Sequence, residues 1–190
     1  MGRVCPRHGR RGRPLNSVVR SHTEVMDAKG FAPMAAPSAK VLVLGSLPGE
    51  ESLRRGEYYA NPRNVFWRIV ESLFSIPKEM AYAERVRKLN EVGVALWDVC
   101  AAATRPGSLD LSIRRGTEVP NDFAAFLAAH QQVKLICFNG AKAAALFREH
   151  VRLKDTVRCL DLPSTSPAHA AMSFDEKVKR WDVIREACET

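Results

Sequence analysis

Four short apolar runs constrain the fold of this chain more than any other feature. Residues 40–45 (KVLVLG), 94–99 (VALWDV), 133–138 (VKLICF) and 156–160 (TVRCL) are rich in β-branched and aliphatic side chains. None alternates regularly between polar and apolar positions, so each suits a parallel strand buried on both faces. Helical patterns lie between them. Asn61-Pro62 reads as N-cap and first helical residue of a helix through Phe66, Ile69, Val70 and Leu73. Residues 79–90 and 120–130 have helical spacing, and 141–150 follows the third run directly through Asn139-Gly140. Residues 173–188 close the chain, with Ser173 as cap and Glu176 completing a capping box. This alternation predicts a three-layer α/β/α sandwich around a short, mostly parallel four-stranded sheet. Ligands of such sheets bind beyond the carboxyl ends of the strands.

At 190 residues, 46% hydrophobic and 26% charged, the chain suits one domain with one core. No run approaches the length of a membrane span. The five cysteines are scattered, none in a C-x-x-C pair, which disfavours a zinc finger, a cysteine-held iron–sulfur cluster or a secreted disulfide framework. Reduced thiols and a cytoplasmic setting are expected. The five histidines show no ligand spacing, so no metal is expected.

Charge is unevenly placed. Residues 1–40 carry eight Lys/Arg against two acidic residues, whereas residues 41–190 carry 21 against 19. We expect residues 1–38 to be a basic, disordered extension, ending in an Ala/Pro-rich linker at 31–38 (FAPMAAPS), and residues 39–190 to be the folded domain. The basic arm has no apolar h-region. It suits a grip on a phosphate backbone, a solvated tail, or an upstream start with Met26 or Met34 as later candidates.

Two loops at predicted strand ends carry chemistry. The first strand ends in Gly45-Ser46-Leu47-Pro48-Gly49, followed by Tyr58-Tyr59-Ala60-Asn61-Pro62-Arg63-Asn64-Val65-Phe66-Trp67. Two glycines and a proline make a tight turn whose backbone N–H groups can approach a ligand closely. Both the G-x-G-x-x-G fingerprint and the Walker A pattern are absent, so no nucleotide cofactor is expected. Tyr59 offers a flat surface for stacking a base, and the amide oxygens of Asn61 and Asn64 can accept from a water or a base N–H. Phe66 and Trp67 belong to the core on this reading, and Asn61 serves equally well as a helix cap.

The turn GSLPG followed by YYANPRNVFW resembles motif one of the uracil-DNA glycosylase superfamily, and within it the hypoxanthine-DNA (deoxyinosine) glycosylase branch. Leu162-Pro163-Ser164-Thr165-Ser166-Pro167-Ala168-His169 resembles motif two, whose loop enters the minor groove beside a flipped nucleotide. Trp97-Asp98-Val99, the segment Arg105-Pro106-Gly107-Ser108-Leu109-Asp110, and the strand-to-helix segment 136–143 match the intervening regions in order. The resemblance spans roughly residues 40–187 and leaves the basic tail without a counterpart.

The resemblance implies a monofunctional DNA glycosylase of base excision repair, working as a monomer on DNA with deaminated bases, hypoxanthine first and uracil second. Flipping the target costs least when it is mispaired. Departure of the base then leaves an oxocarbenium-like sugar for water to capture. Many relatives position that water with an Asp or Asn third in the motif-one turn; here that residue is Leu47, and Leu162 stands where many carry His or Asn. The compensating amide is assigned to Asn64, with Asn61 as the alternative. Asp98 is aligned to accept the N1–H of hypoxanthine while backbone N–H groups at Ser46 and Leu47 donate to O6; a loop cap is its bland alternative. Ser164 and Ser166 are assigned to flanking phosphates, and Thr165-Ser166-Pro167 to a wedge lacking a bulky leucine. His169 suits a phosphate, the leaving base, or no role. Ser108 to Asp110 are read as a brace, and Arg63, Arg105 and Lys142 as candidate phosphate contacts. The two leucine departures also support a second reading: a catalytically weak member that binds damaged DNA.

Overall fold

The computed structural model describes Met1, residues 27–153 and residues 157–189. The chain runs through β1 (Asp27–Lys29), β2 (Val41–Gly45), α1 (Glu50–Arg55), α2 (Phe66–Phe74) and α3 (Tyr82–Glu91). It continues with β3 (Val94–Asp98), β4 (Cys100–Thr104), a 3₁₀ turn (Asp110–Ser112), β5 (Val119–Pro120) and α4 (Phe123–Ala129). The last elements are β6 (Leu135–Asn139), α5 (Ala141–His150), β7 (Arg158–Leu162), α6 (Phe174–Trp181) and α7 (Val183–Glu189). The basic stretch 2–26, with the proposed start at Met26, and Thr156 at the head of the fourth run lie outside the described residues.

All four apolar runs form strands of one sheet, ordered β3-β2-β6-β7 and parallel throughout. The third and fourth strands each begin two residues later than their expected runs, at Leu135 and Arg158. Successive side chains point to opposite faces. Leu42, Leu44, Ile136 and Phe138 pack on one face against Phe123 and Phe126 of α4 and Leu146 and Phe147 of α5. Val41, Val43, Leu135 and Cys137 pack on the other against Phe66, Ile69 and Val70 of α2, Leu89 of α3 and Trp181 and Ile184 of α6 and α7. The fold is the expected three-layer α/β/α sandwich.

A second, three-stranded antiparallel sheet, ordered β1-β4-β5, stands beside it and has no counterpart in the apolar pattern. Its strands are short and alanine-rich or only two or three residues long, so hydrophobic periodicity gives no sign of them. This sheet also corrects the expected linker and its boundary at residue 39. Ala28 is buried in the β1–β4 pairing, and Met34 exchanges two backbone hydrogen bonds of 2.9 Å with Leu96. Trp97 Nε1 donates to the Phe31 carbonyl at 3.0 Å. Residues 27–38 thus cover the outer edge of β3, which would otherwise expose unpaired backbone groups.

Several helix boundaries move for local reasons. Asn61 does not cap α2, which begins at Phe66. Pro120 lies in β5, and Asp122 caps α4 by accepting the Ala125 N–H at 2.9 Å. The closing helix divides at Asp182, while the Ser173–Glu176 capping box forms as expected.

Candidate active site

A cleft of about 620 Å³ opens at the carboxyl ends of the parallel strands. Both loops singled out in the sequence line it, together with Asp98, Asn139 and the segment 108–111. The bottom of the cleft is set by parallel register, which places Gly45 at the end of β2 beside Asp98 at the end of β3. The Asp98 side chain occupies the space that a Gly45 side chain would need: a Cβ there would fall 2.6 Å from Oδ1.

Asp98 is only 3% exposed. Burial pushes its pKa up to about 7; the Tyr58 hydroxyl and Arg105 oppose the rise, and the nearby charge of Asp110 adds to it. Tyr58 is buried beside Asp98, and desolvation raises its hydroxyl strongly. Neither Oδ2 of Asp98 nor the Tyr58 hydroxyl completes a well-formed hydrogen bond among the described residues. The two groups face one another at the end of the cleft.

The turn 45–49 is held from behind. Arg105 is 2% exposed and donates to the carbonyls of Gly107 (2.9 Å), Leu47 (3.2 Å) and Pro48. With its guanidinium consumed by carbonyls, Arg105 is a clamp and not the phosphate contact expected from sequence. Leu47 packs in the core with 5% exposure, so only its backbone serves the cleft. Ser46 is buried and donates from Oγ to Asp110 Oδ1 at 2.6 Å.

Tyr59 takes a left-handed backbone conformation (φ 57°) and stacks on Phe66, with ring centroids 4.0 Å apart. One face of the expected stacking surface is thereby used by the core. Asn61 and Asn64 both line the cleft and both turn their own loop: Asn61 Oδ1 accepts the Arg63 N–H and Asn64 Oδ1 the Phe66 N–H, each at 2.9 Å. A carbonyl oxygen has two lone pairs, so either amide retains one for a ligand.

The 162–169 loop is joined to the first by backbone and side chain alike. The Val65 N–H donates to the Thr165 carbonyl at 3.1 Å. Asn139 and Thr165 exchange two hydrogen bonds of 2.8 Å, Nδ2 to Oγ1 and backbone N–H to Oδ1. Thr165 is 1% exposed, which corrects its assignment to DNA: it anchors the loop and cannot reach a duplex. Gly140, at φ 98°, lets Ser164 pass; a Cβ there would lie 2.9 Å from that of Ser164. Ser164, Ser166, the exposed His169 and the exposed Arg63 line the cleft, while Lys142 does not. Lys177, buried under this loop, donates to the His169 carbonyl at 2.7 Å.

The sequence reading missed two contributors, Asn139 and Leu111. Asn139 was visible only as part of a strand-to-helix turn. Leu111, like Leu109 of the expected brace, lines the cleft exposed to solvent, and its signal was the unusual placement of leucines in a polar, Gly- and Ser-containing segment.

Comparison with known proteins agrees with this geometry. Residues 32–185 match the family model of the Uracil DNA glycosylase superfamily. A hypoxanthine DNA glycosylase of Methanosarcina acetivorans is 40% identical over 160 residues, covering 84% of this chain and 98% of that protein. One from Methanosarcina barkeri is 35% identical over 119 residues, covering 62% and 74%. The solution NMR structure of a uracil DNA glycosylase candidate from Methanosarcina acetivorans superposes with a TM-score of 0.72 at 33% identity, covering 87% of this chain and all of that one. With two loops converging on one cleft and a family match over most of its length, this chain belongs to the uracil DNA glycosylase superfamily.

Proposed function

We propose that the protein is a monofunctional DNA glycosylase that releases deaminated bases, hypoxanthine first and uracil second, by hydrolysing the N-glycosidic bond. The observation that carries this reading is the buried Asp98 carboxylate at the end of the cleft, beside the tight turn that begins at Gly45. Hypoxanthine presents an N1–H donor beside an O6 acceptor. The ionised carboxylate accepts from N1–H, and the backbone N–H groups of Ser46 and Leu47 donate to O6. Uracil offers the same donor beside a carbonyl and fits second. Adenine carries a bare N1 lone pair, which would face the carboxylate unfavourably. The names of the Methanosarcina relatives support hypoxanthine as the base.

Asn64 holds the attacking water with its remaining lone pair, and Asn61 is the alternative holder. No lysine is among the described residues lining the cleft, which favours water over an amine as nucleophile. Ser164, Ser166, His169 and Arg63 face the flanking backbone. The reading takes the protein to act as a cytoplasmic monomer where the DNA is, without metal or nucleotide cofactor; no helix among the described residues is long and apolar enough to cross a membrane. A second reading, binding of damage without turnover, is favoured by Leu47, whose side chain lies in the core.

Base release from matched duplexes carrying deoxyinosine, deoxyuridine or deoxyxanthosine, developed with alkali, separates the two. Cleavage mainly at deoxyinosine is expected, with Asn64→Ala reducing the rate by orders of magnitude while duplex binding persists. Binding without release from any substrate would establish the second reading.

A further inference from the structure

Hydrolysis at an oxocarbenium-like sugar needs more than an amide that holds water: an amide oxygen accepts a hydrogen bond but takes no proton at neutral pH. This inference rests on the glycosylase reading and asks which group takes that proton. Three carboxylates are among the residues lining the cleft: Glu51, Asp98 and Asp110. Glu51 is bound by Arg54 and Arg55 at 2.6 and 2.5 Å. Asp98 lies beside Gly45 at the end of the cleft and, on the glycosylase reading, serves the base. Asp110 differs from both. Its Oδ1 accepts the Ser46 hydroxyl at 2.6 Å, and no protein donor reaches its Oδ2 among the described contacts.

The position of Asp110 is built, not incidental. It opens the 3₁₀ turn that closes with the Ser112 N–H on the Leu109 carbonyl at 2.9 Å and the Ile113 N–H on its own carbonyl at 3.2 Å. Ile113 is buried in the core. At the other end of the segment Arg105 is clamped to the 45–49 turn, and the Ser108 hydroxyl accepts the Glu50 N–H at 2.9 Å. The carboxylate is thus fixed beside Ser46, one residue from the apolar Leu47.

We propose that Asp110 is a catalytic carboxylate of this enzyme, receiving a proton from the water that attacks C1′ and presenting its charge to the cationic sugar. The C1′–N9 bond breaks with its electron pair leaving on the base, while the water oxygen bonds to C1′. The water's proton passes to Asp110 and then to solvent, and the departing base anion is protonated from solvent. The products are an abasic site and hypoxanthine. The groups that bear on Asp110 suit this role. Burial raises its proton affinity, whereas Ser46, Arg105 and Lys142 favour its charged form; the neighbouring acid is Asp98, whose own proton affinity Asp110 raises.

The test is the single-turnover rate of Asp110→Asn, Asp110→Ala and Ser46→Ala on a deoxyinosine duplex. Affinity is measured in parallel on a duplex carrying a non-cleavable 2′-fluoro analogue. Asn at 110 still accepts the Ser46 hydroxyl, so it preserves the loop while removing both the negative charge and the ability to take a proton. The expected loss for Asp110→Asn is about 10²- to 10⁴-fold in rate, with affinity nearly unchanged and a smaller loss for Ser46→Ala. Partial rescue of Asp110→Ala by added formate supports the same role. If Asp110 only braces Ser46, Asp110→Asn will keep a near wild-type rate and Ser46→Ala will match Asp110→Ala, which overturns the proposal alone. A wild-type protein that releases no base overturns this proposal together with the functional reading beneath it.

Discussion

Asp98 fills the volume that Gly45 leaves empty: a Cβ on Gly45 would come within 2.6 Å of the Asp98 carboxylate oxygen. The two residues are register partners on adjacent parallel strands, so neither can shift without disturbing the sheet. Gly45→Ala is expected to destabilise the fold by about 1–3 kcal/mol, the usual range for forcing an extra methyl into a packed site. It should also lower hypoxanthine release at least about tenfold by displacing the carboxylate. Adding Asp98→Ala to Gly45→Ala should restore the Tm without restoring release. A double variant no more stable than Gly45→Ala would show that the clash lies elsewhere.

Asp98 makes stability and activity oppose one another. Its pKa rises from an ordinary 3.8 to about 7 in the folded chain. Between those values the folded protein holds a proton that the unfolded chain has lost, so this group's contribution to stability declines as pH rises through the window. Asp98→Asn should therefore be more stable than wild type at pH 8, by ~2–4 kcal/mol, and no more stable at pH 3. Thermal melts across pH measure this. Release of hypoxanthine needs the ionised carboxylate, so the wild-type rate should fall as pH drops through about 7. Asp98→Asn should be slower and lack that limb.

The Asn139–Thr165 pair joins the end of β6 to the 162–169 loop through two 2.8 Å bonds. Asn139→Ala leaves the buried Thr165 N–H without its acceptor. The expected cost is about 1–3 kcal/mol, read as a lower Tm, with weaker binding to deoxyinosine duplexes as the loop loosens. Unchanged affinity would detach this loop from DNA binding.

Leu111 lines the cleft with 92% of its surface exposed, and the exposed Leu109 two residues before it lines the cleft too. Flipping a nucleotide leaves a gap in the base stack that an apolar side chain can enter. Leu111→Ala should slow release from duplex by about tenfold or more, since unstacking costs a few kcal/mol per step. Release from single-stranded deoxyinosine oligonucleotides should be unaffected. Equal losses on both substrates would point to a role in shaping the cleft instead.

Much of this protein could be read from the chain alone, for a physical reason. Strands buried on both faces must be apolar almost throughout, so KVLVLG, VALWDV and VKLICF reveal the core of the parallel sheet without help from tertiary contacts, while TVRCL marks an edge strand that is largely exposed. The Ser173–Glu176 capping box is equally local: both of its hydrogen bonds lie within four residues, and it forms as expected. The turn GSLPG and the loop at 162–169 were legible because strand ends in such sheets are where ligands bind.

Tertiary structure decided whatever depends on a partner distant in sequence. Residues 27–38, the end of the expected extension and its linker at 31–38, became a strand and an edge cover because β3 and β4 needed neighbours. Arg105 became a buried clamp because the carbonyls of Leu47 and Pro48, more than 50 residues away, face it. Thr165 left the DNA surface because Asn139, 26 residues earlier, takes its hydroxyl and its N–H. Sequence determined which residue types stand at the ends of the strands. Only the folded sheet decided which of them point into the cleft with an atom still free to bond, because burial and hydrogen-bond satisfaction belong to the three-dimensional surroundings and not to the residue.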